Sequence, residues 1–262
     1  MSLLRVENNN HIVTIYLNRA EKRNAMNFAL LQELYDTAQQ LKKDRQLRAV
    51  ILTGDAGIFS AGIDLSDLNS PQKRKFALWE LIKPSQSLFQ KACLVWQSLP
   101  VPVICAIEGY CFGAGMQLAM AADFRICHPT TQLSIMESRW GLVPDMGLSQ
   151  SLRGLVSIDL LKELTYTARV FDGNYAKSIG LVSHLSEEPL KHAQALAEEI
   201  AERSPDAVSA AKHLLHAMLY QSPRKTLYLE KCWQLKLILG KNSRIARIKD
   251  KNPTQLFQPR QF

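Results

Sequence analysis

The chain has 262 residues, 47% of them hydrophobic and 21% charged, with a formal net charge of +8. That length holds one large domain or two small ones with a sizeable core, and the balance is that of a globular protein, not a disordered or fibrous one. No stretch approaches the roughly 20 apolar residues that cross a bilayer, and the opening MSLLRVENNN is too polar for a secretory signal, so the cytoplasm is the expected compartment.

In chain order, HIVTIYLN alternates as a strand does. A helix follows from Asn27, its expected N-cap, with Phe28, Leu31, Leu34, Ala38 and Leu41 at helical spacing. LRAVILTG reads as a buried strand ending at Gly54, and GIFSAGIDL as a turn-rich segment. Residues 72–99 read as helix broken at Pro84. PVPVICAIEG is a second buried strand, and GYCFGAGMQLAM begins the helix after it. DFRICH and QLSIMES read as further short strands. Beyond about Ser157 the pattern turns helical, through SIDLLKELTYTA, NYAKSIG, PLKHAQALAEEIAERS, PDAVSAAKHLLHAMLY and PRKTLYLEKCWQLKLILG. The expectation is an α/β core followed by a helical C-terminal part.

Cys93, Cys105, Cys111, Cys127 and Cys232 are odd in number and form no C-x-x-C pair, so free thiols are expected rather than disulfides or a zinc site. The six histidines show no ligand spacing, and no metal is expected. Basic residues are scattered, densest in GKNSRIARIKDKNP, without a nucleic-acid-binding motif. The charge suits either a solvated face or attraction of a polyanionic small molecule.

Two segments present bare backbone after buried strands: Ala61-Gly62-Ile63 and Gly113-Ala114-Gly115. They read either as two tight turns or as two backbone N–H donors aimed at one oxygen that becomes negative in a transition state. Gly113-x-Gly115 is no dinucleotide fingerprint, because Leu118 stands where the third glycine belongs. No P-loop or H-E-x-x-H is present, and GIFSAG fails the spacing of a serine nucleophile elbow.

Together, LNRAEKRNAMN, GIFSAGIDL, GYCFGAGMQLAMAADFRIC and LSIMESRWGLVPDMG resemble the enoyl-CoA hydratase/isomerase (crotonase) superfamily, in the family's order and across roughly residues 5 to 220. The resemblance implies an α/β spiral of ββα units forming two roughly perpendicular sheets over residues 1–200, and a helical trimerisation region over 201–262. It implies a homotrimer or dimer of trimers and an acyl-CoA substrate, with CoA part of the substrate and no separate cofactor. No nucleic acid or membrane partner is expected. The thioester oxygen would be held by the N–H groups of Ile63 and Ala114. Ala61, Gly62, Asp64, Leu65 and Gly113 would lie against the substrate, and Lys22 or Arg23 would meet a CoA phosphate unless they form a solvated charge cluster.

Family hydratases carry two glutamates; the second maps onto Glu137 and the first onto Gln117, an amide that cannot deliver a proton. Gln117 reads either as an orienting group or as part of the wall. Glu137 alone suits an enoyl-CoA isomerase that moves a double bond from the 3- to the 2-position. Asp145 sits where family dienoyl-CoA isomerases carry an aspartate, and reads equally as a helix cap or turn residue. Isomerisation is the leading expectation. Hydration by Glu137 with Gln117 positioning water, dienoyl isomerisation by Glu137 and Asp145, and thioester binding with little activity are the alternatives.

Overall fold

The inner strands of the first sheet form from residues that are buried on both faces. β2 (Ile12–Leu17) and β3 (Ala49–Gly54) are almost wholly buried, as strands of a parallel sheet covered on both faces must be. In the computed structural model, which describes residues 2–249, 252 and 254–262, β2 is preceded by an unexpected partner, β1 (Leu4–Asn9), paired antiparallel to it. Asn10 and His11 turn the hairpin with φ of 49° and 67°, the geometry of a two-residue loop that matches strand twist. The polar opening segment is thus an edge strand, and Asn-His replaces the Asn-Gly that would have signalled it.

α1 (Phe28–Lys43) starts as expected, the Asn27 side chain accepting the Leu30 N–H at 2.8 Å. β4 (Val103–Ile107) extends the sheet in parallel next to β3, and β5 (Tyr110–Phe112) breaks away from it at Gly109, with φ of +63°. A Cβ at Gly109 would lie 2.5 Å from the Gly57 carbonyl oxygen, so only glycine fits this corner. β6 (Phe124–Cys127) returns to the first sheet, β7 (Gln132–Ser134) and β8 (Phe171–Asp172) join β5 in a second, and β9 (His184–Leu185) ends the first. The orders are β1-β2-β3-β4-β6-β9 and β5-β7-β8.

Three helices lie between β3 and β4: α2 (Leu65–Asn69), α3 (Pro71–Ile82) and α4 (Leu88–Leu94). The expected break at Pro84 falls between α3 and α4. Next come α5 (Ala114–Met120), α6 (Leu148–Ser151), α7 (Ile158–Thr167), α8 (Gly173–Ser178) and α9 (Pro189–Ala201). The main core joins α1, α4 and α5 to the second sheet and one face of the first, where Trp96, Leu31, Leu34 and Met116 are fully buried. α9 covers the other face, packing Ala193 and Ala197 against Ile51, Ile104 and Ile126.

α10 (Pro205–Met218), α11 (Pro223–Leu239) and α12 (Lys241–Lys249) follow. The stretch GKNSRIARIKDKNP is therefore largely helix, its residues 250, 251 and 253 lying outside the described residues. The end of the chain returns to the core: the Gln261 N–H and the Asn242 amide both donate to buried Asp206, at 2.6 and 2.8 Å, and the Arg260 N–H donates to the Arg45 carbonyl at 2.8 Å. Lys212 on α10 pairs with Asp123 at 2.7 Å. α11 buries none of its residues against the rest of the chain.

Candidate active site

The two small-residue turns meet. Ser60 bridges to Cys111 at the edge of β5, and a Cβ on Gly62 would stand 3.8 Å from the Ala114 nitrogen and 3.1 Å from the Phe112 carbonyl oxygen. Gly62 has φ of +102° and Gly113 φ of +47°, both in the region that glycine enters without strain. Gly115 is glycine for a different reason: a Cβ there would lie 2.7 Å from the Ser60 side chain, so α5 could not seat against the turn.

The segment before α1 fixes the first turn's peptide planes. Ala61 N–H donates to the Arg23 carbonyl at 3.0 Å, Met26 N–H to the Gly62 carbonyl at 2.8 Å, and Asp64 N–H to the Met26 carbonyl at 2.9 Å. Between them the Ile63 N–H is left over. Ala114 opens α5, where helix geometry supplies no acceptor for its N–H. Among the described residues neither N–H has an acceptor within the chain. Both expected oxyanion donors therefore lie on adjoining turns with their hydrogens unspent.

Buried Asn24 holds this arrangement, and its role was not singled out from the sequence. Its side-chain oxygen accepts the Arg19 N–H at 2.9 Å, and its amide donates to the carbonyls of Asp55, at 3.0 Å, and Ile58. Asn24→Leu would leave the Arg19 N–H buried without its acceptor and take a donor from two carbonyls, and should lower the unfolding free energy by about 3 kcal/mol, read from urea denaturation at an unchanged m-value. A shift of only a few tenths would mean that the segment does not depend on Asn24.

A cavity of about 380 Å³ opens beside the two turns. Ala61, Gly62, Ile63, Leu65, Gly113 and Ala114 line it, as expected, and so do Gln117, Glu137 and Asp145. Asp64 does not line it. The Asp64 carboxylate pairs with Arg19 at 3.0 Å and accepts the Ser66 N–H at the start of α2, so it braces the turn rather than reaching the cavity. Lys22 and Arg23 are exposed on the turn before α1, outside the lining. Phe28, Ala77, Leu81 and Phe89 supply further walls, as do Trp140, Leu142 and Val143.

Glu137 leaves β7's line early. QLSIMES is strand only to Ser134, and Glu137–Trp140 form a 3₁₀ turn closed by Gly141 in the left-handed region. That turn carries Glu137 over α5, where a Cβ on Gly113 would be 3.5 Å from its Oε1. The Gln117 amide donates to Glu137 Oε1 at 2.7 Å, and the Gln117 carbonyl accepts the Met146 N–H at 2.8 Å. Because a backbone N–H can only donate, the Met146 contact sets which end of Gln117 faces Glu137. Gln117 is 1% exposed, with both ends engaged. Glu137 Oε2 is buried and has no hydrogen-bond partner among the described residues.

Burial raises the Glu137 pKa above the ordinary carboxylate value, the Gln117 hydrogen bond opposes that rise, and the nearby Asp145 charge adds to it. Asp145 faces the open cavity, yet enough protein surrounds it that desolvation raises its pKa as well. It caps no helix: Gly147 stands at the N-cap of α6, without a side-chain cap. Two carboxyls with raised pKa values on one apolar cavity are groups that can give and take protons there. The buried thiols are inert by comparison; burial pushes Cys105 up to about 12 and Cys127 up to about 11. Among the described residues no group of three or more His, Cys, Asp or Glu could hold a metal ion.

The family model for enoyl-CoA hydratase/isomerase matches residues 7–249. A mitochondrial Delta(3,5)-Delta(2,4)-dienoyl-CoA isomerase of Mus musculus is 37% identical over 220 residues, 77% of this chain and 64% of that protein. A mitochondrial methylglutaconyl-CoA hydratase of Mus musculus is 33% identical over 213 residues, 79% of this chain and 66% of the other. The chain thus spans about two-thirds of the length of these relatives. Among solved structures, an enoyl-CoA hydratase from Bacillus anthracis superposes with a TM-score of 0.89 at 29% identity, covering 98% of this chain and 99% of that one. A putative enoyl-CoA hydratase from Thermobifida fusca YX, in complex with acetoacetyl-CoA, gives 0.82 at 28% identity over 90% and 95% of the two chains. With the two-sheet spiral, the paired turns and the match along nearly its whole length, the chain belongs to the enoyl-CoA hydratase/isomerase family and has the crotonase fold.

Proposed function

We propose that the chain isomerises the double bond of an enoyl-CoA, with Glu137 as the base. The observation that carries this reading is the state of Gln117: one end is held by the Met146 N–H and the other donates to Glu137. The residue at the position of a hydratase's first glutamate cannot ionise or deliver a proton, and its amide is held in a fixed orientation by Met146 and Glu137. Glu137 Oε2 remains as the one unpartnered carboxylate oxygen of that pair.

In this reading the thioester oxygen accepts the N–H groups of Ile63 and Ala114. Glu137 Oε2 removes a proton from C2 of a 3-enoyl-CoA. The C–H electron pair moves into the C1–C2 bond as the thioester oxygen takes the negative charge, giving a dienolate that the two amides stabilise. In the return step that pair moves into C2–C3 as the C3–C4 pair takes up a proton at C4. The same carboxyl returns a proton at C4 as the double bond settles between C2 and C3. No atom is gained or lost. Lys22 and Arg23 are placed by the same reading near the CoA phosphates, where a cation forms charge-assisted hydrogen bonds. The exposed apolar residues of α11, Leu227, Leu235, Ile238 and Leu239, are proposed to be covered by assembly into a trimer, which sedimentation would measure.

A dienoyl-CoA variant of this chemistry has its own support. Asp145 lines the same cavity and its charge acts on Glu137, and a 37% identical relative is named as a dienoyl-CoA isomerase. There a proton leaves C2 and another enters at C6, with the two carboxyls dividing the work.

The test is water addition to a 2-enoyl-CoA. The parent should hydrate far more slowly than it isomerises, and Gln117→Glu should raise hydration by about 10²-fold, the usual contribution of one positioned acid. Parent hydration as fast as isomerisation would overturn the reading. Gln117→Leu tests the hydrogen bond itself. Losing a donor that favours the charged Glu137 should move the acidic limb of the kcat/KM profile to higher pH, whereas a purely structural role would leave the limb in place.

A further inference from the structure

Among the described residues, the cavity beside Glu137 carries polar side chains only at Gln117, Glu137 and Asp145, with no lysine, arginine or histidine in its lining. Its inner wall is aromatic and aliphatic, with Phe28 and Phe89 in edge contact at 5.4 Å between ring centroids. Towards the mouth stand Leu65, Leu81, Trp140, Leu142 and Val143, all in the lining and all exposed, Trp140 at 58% and Val143 at 74%. These apolar groups are continuous with the catalytic cavity and face water until something covers them.

The nearby cations are spoken for or turned outward. Lys73 pairs with Asp67 and Lys83 with Glu80, while exposed Arg139 is outside the lining. A carboxylate brought into this cavity would lose its hydration, gain no cation, and meet Glu137 and Asp145. An uncharged hydrocarbon tail would remove the apolar collar from water at no such cost.

We infer that this site selects acyl-CoA thioesters with an extended, uncharged hydrocarbon tail lying on the Leu65–Leu81–Trp140–Val143 collar, and rejects acyl groups that carry a second carboxylate. The inference rests on the acyl-CoA site of the proposed function but not on the reaction assigned to it. The occupant of the collar is the tail itself, because the collar and the space beside Glu137 are one cavity.

The test is direct binding of saturated straight-chain acyl-CoAs, from butanoyl to decanoyl, measured by titration calorimetry on the full chain. Kd should fall roughly two- to fourfold for each added methylene until the tail outruns the collar. The ω-carboxylated counterpart of octanoyl-CoA should bind at least about a hundredfold more weakly than octanoyl-CoA, since an unpaired buried charge costs several kcal/mol. Leu81→Arg should narrow that gap by supplying a cation at the mouth. Affinity independent of length, or equal affinity for the carboxylated ligand, would overturn the inference, as would failure of every acyl-CoA to bind. Length-dependent binding of these ligands, with no double-bond shift when a 3-enoyl-CoA is supplied, would instead overturn the isomerase reading and leave this one standing. Isomerisation with no dependence of KM on tail length would do the reverse.

Discussion

Glu137→Gln is expected to lower kcat/KM for double-bond isomerisation by about 10²–10⁴-fold, the range for removing a positioned general base, while the protein remains folded. The folded state raises the pKa of Glu137 because burial disfavours its charge. Such a carboxyl contributes stability that is fully present below its unfolded pKa and is lost as pH rises through the higher folded value. Removing it removes that loss. Between the ordinary carboxylate range and neutral pH, the urea midpoint of the variant should therefore fall less than the parent's. Activity and stability move in opposite directions, so a misfolded variant cannot imitate the result. Full activity in Glu137→Gln would rule Glu137 out as the base.

Ala114→Pro is the second large effect. It deletes the N–H proposed to hold the thioester oxygen, at the first position of α5, where proline is tolerated because that N–H has no helical partner. The preceding residue is Gly113, so the usual clash of a proline ring with the Cβ before it does not arise. The Ala114 N–H serves no acceptor within the described chain, so the expected loss falls on catalysis. Removing one oxyanion donor costs about 10²–10³-fold in rate. The loss should appear in kcat more than in KM, because the charge on the oxygen develops after binding. Ala114→Ser, which retains the N–H, should stay close to the parent. A folded Ala114→Pro variant with parental kcat would refute the placement of the oxyanion hole.

Much of this site was legible because its signals are local. Asn27 caps α1 three residues from the N–H that it accepts, the interruption at Pro84 separates α3 from α4, and the bare turns at 61–63 and 113–115 stand where the sequence analysis placed them. The buried strands β3 and β4 announced themselves as apolar runs. What escaped is short or non-local. β5 and β8 have three and two residues, too few for a period, and β1 hid behind polar side chains on an exposed edge.

The engagement of Gln117 depends on a backbone N–H 29 residues further on. Nothing in the spacing of GMQLAM announces it, and only the fold decides that an orienting group is itself oriented. Asp64 shows the opposite error. Its place next to the turn suggested contact with substrate, but the fold gave its carboxylate to Arg19, 45 residues earlier in the chain. The cavity walls are drawn from α1, α3, α4 and the loop at 140–146. Each segment looks amphipathic or irregular by itself, and their common surface exists only after folding.

The account stands or falls on what happens to a short 3-enoyl-CoA, followed by absorbance of the conjugated thioester and by mass, with the parent and Glu137→Gln side by side. It predicts new conjugation at unchanged mass in the parent and almost none in the variant. A product heavier by one water, or conjugation formed equally by both proteins, would contradict it.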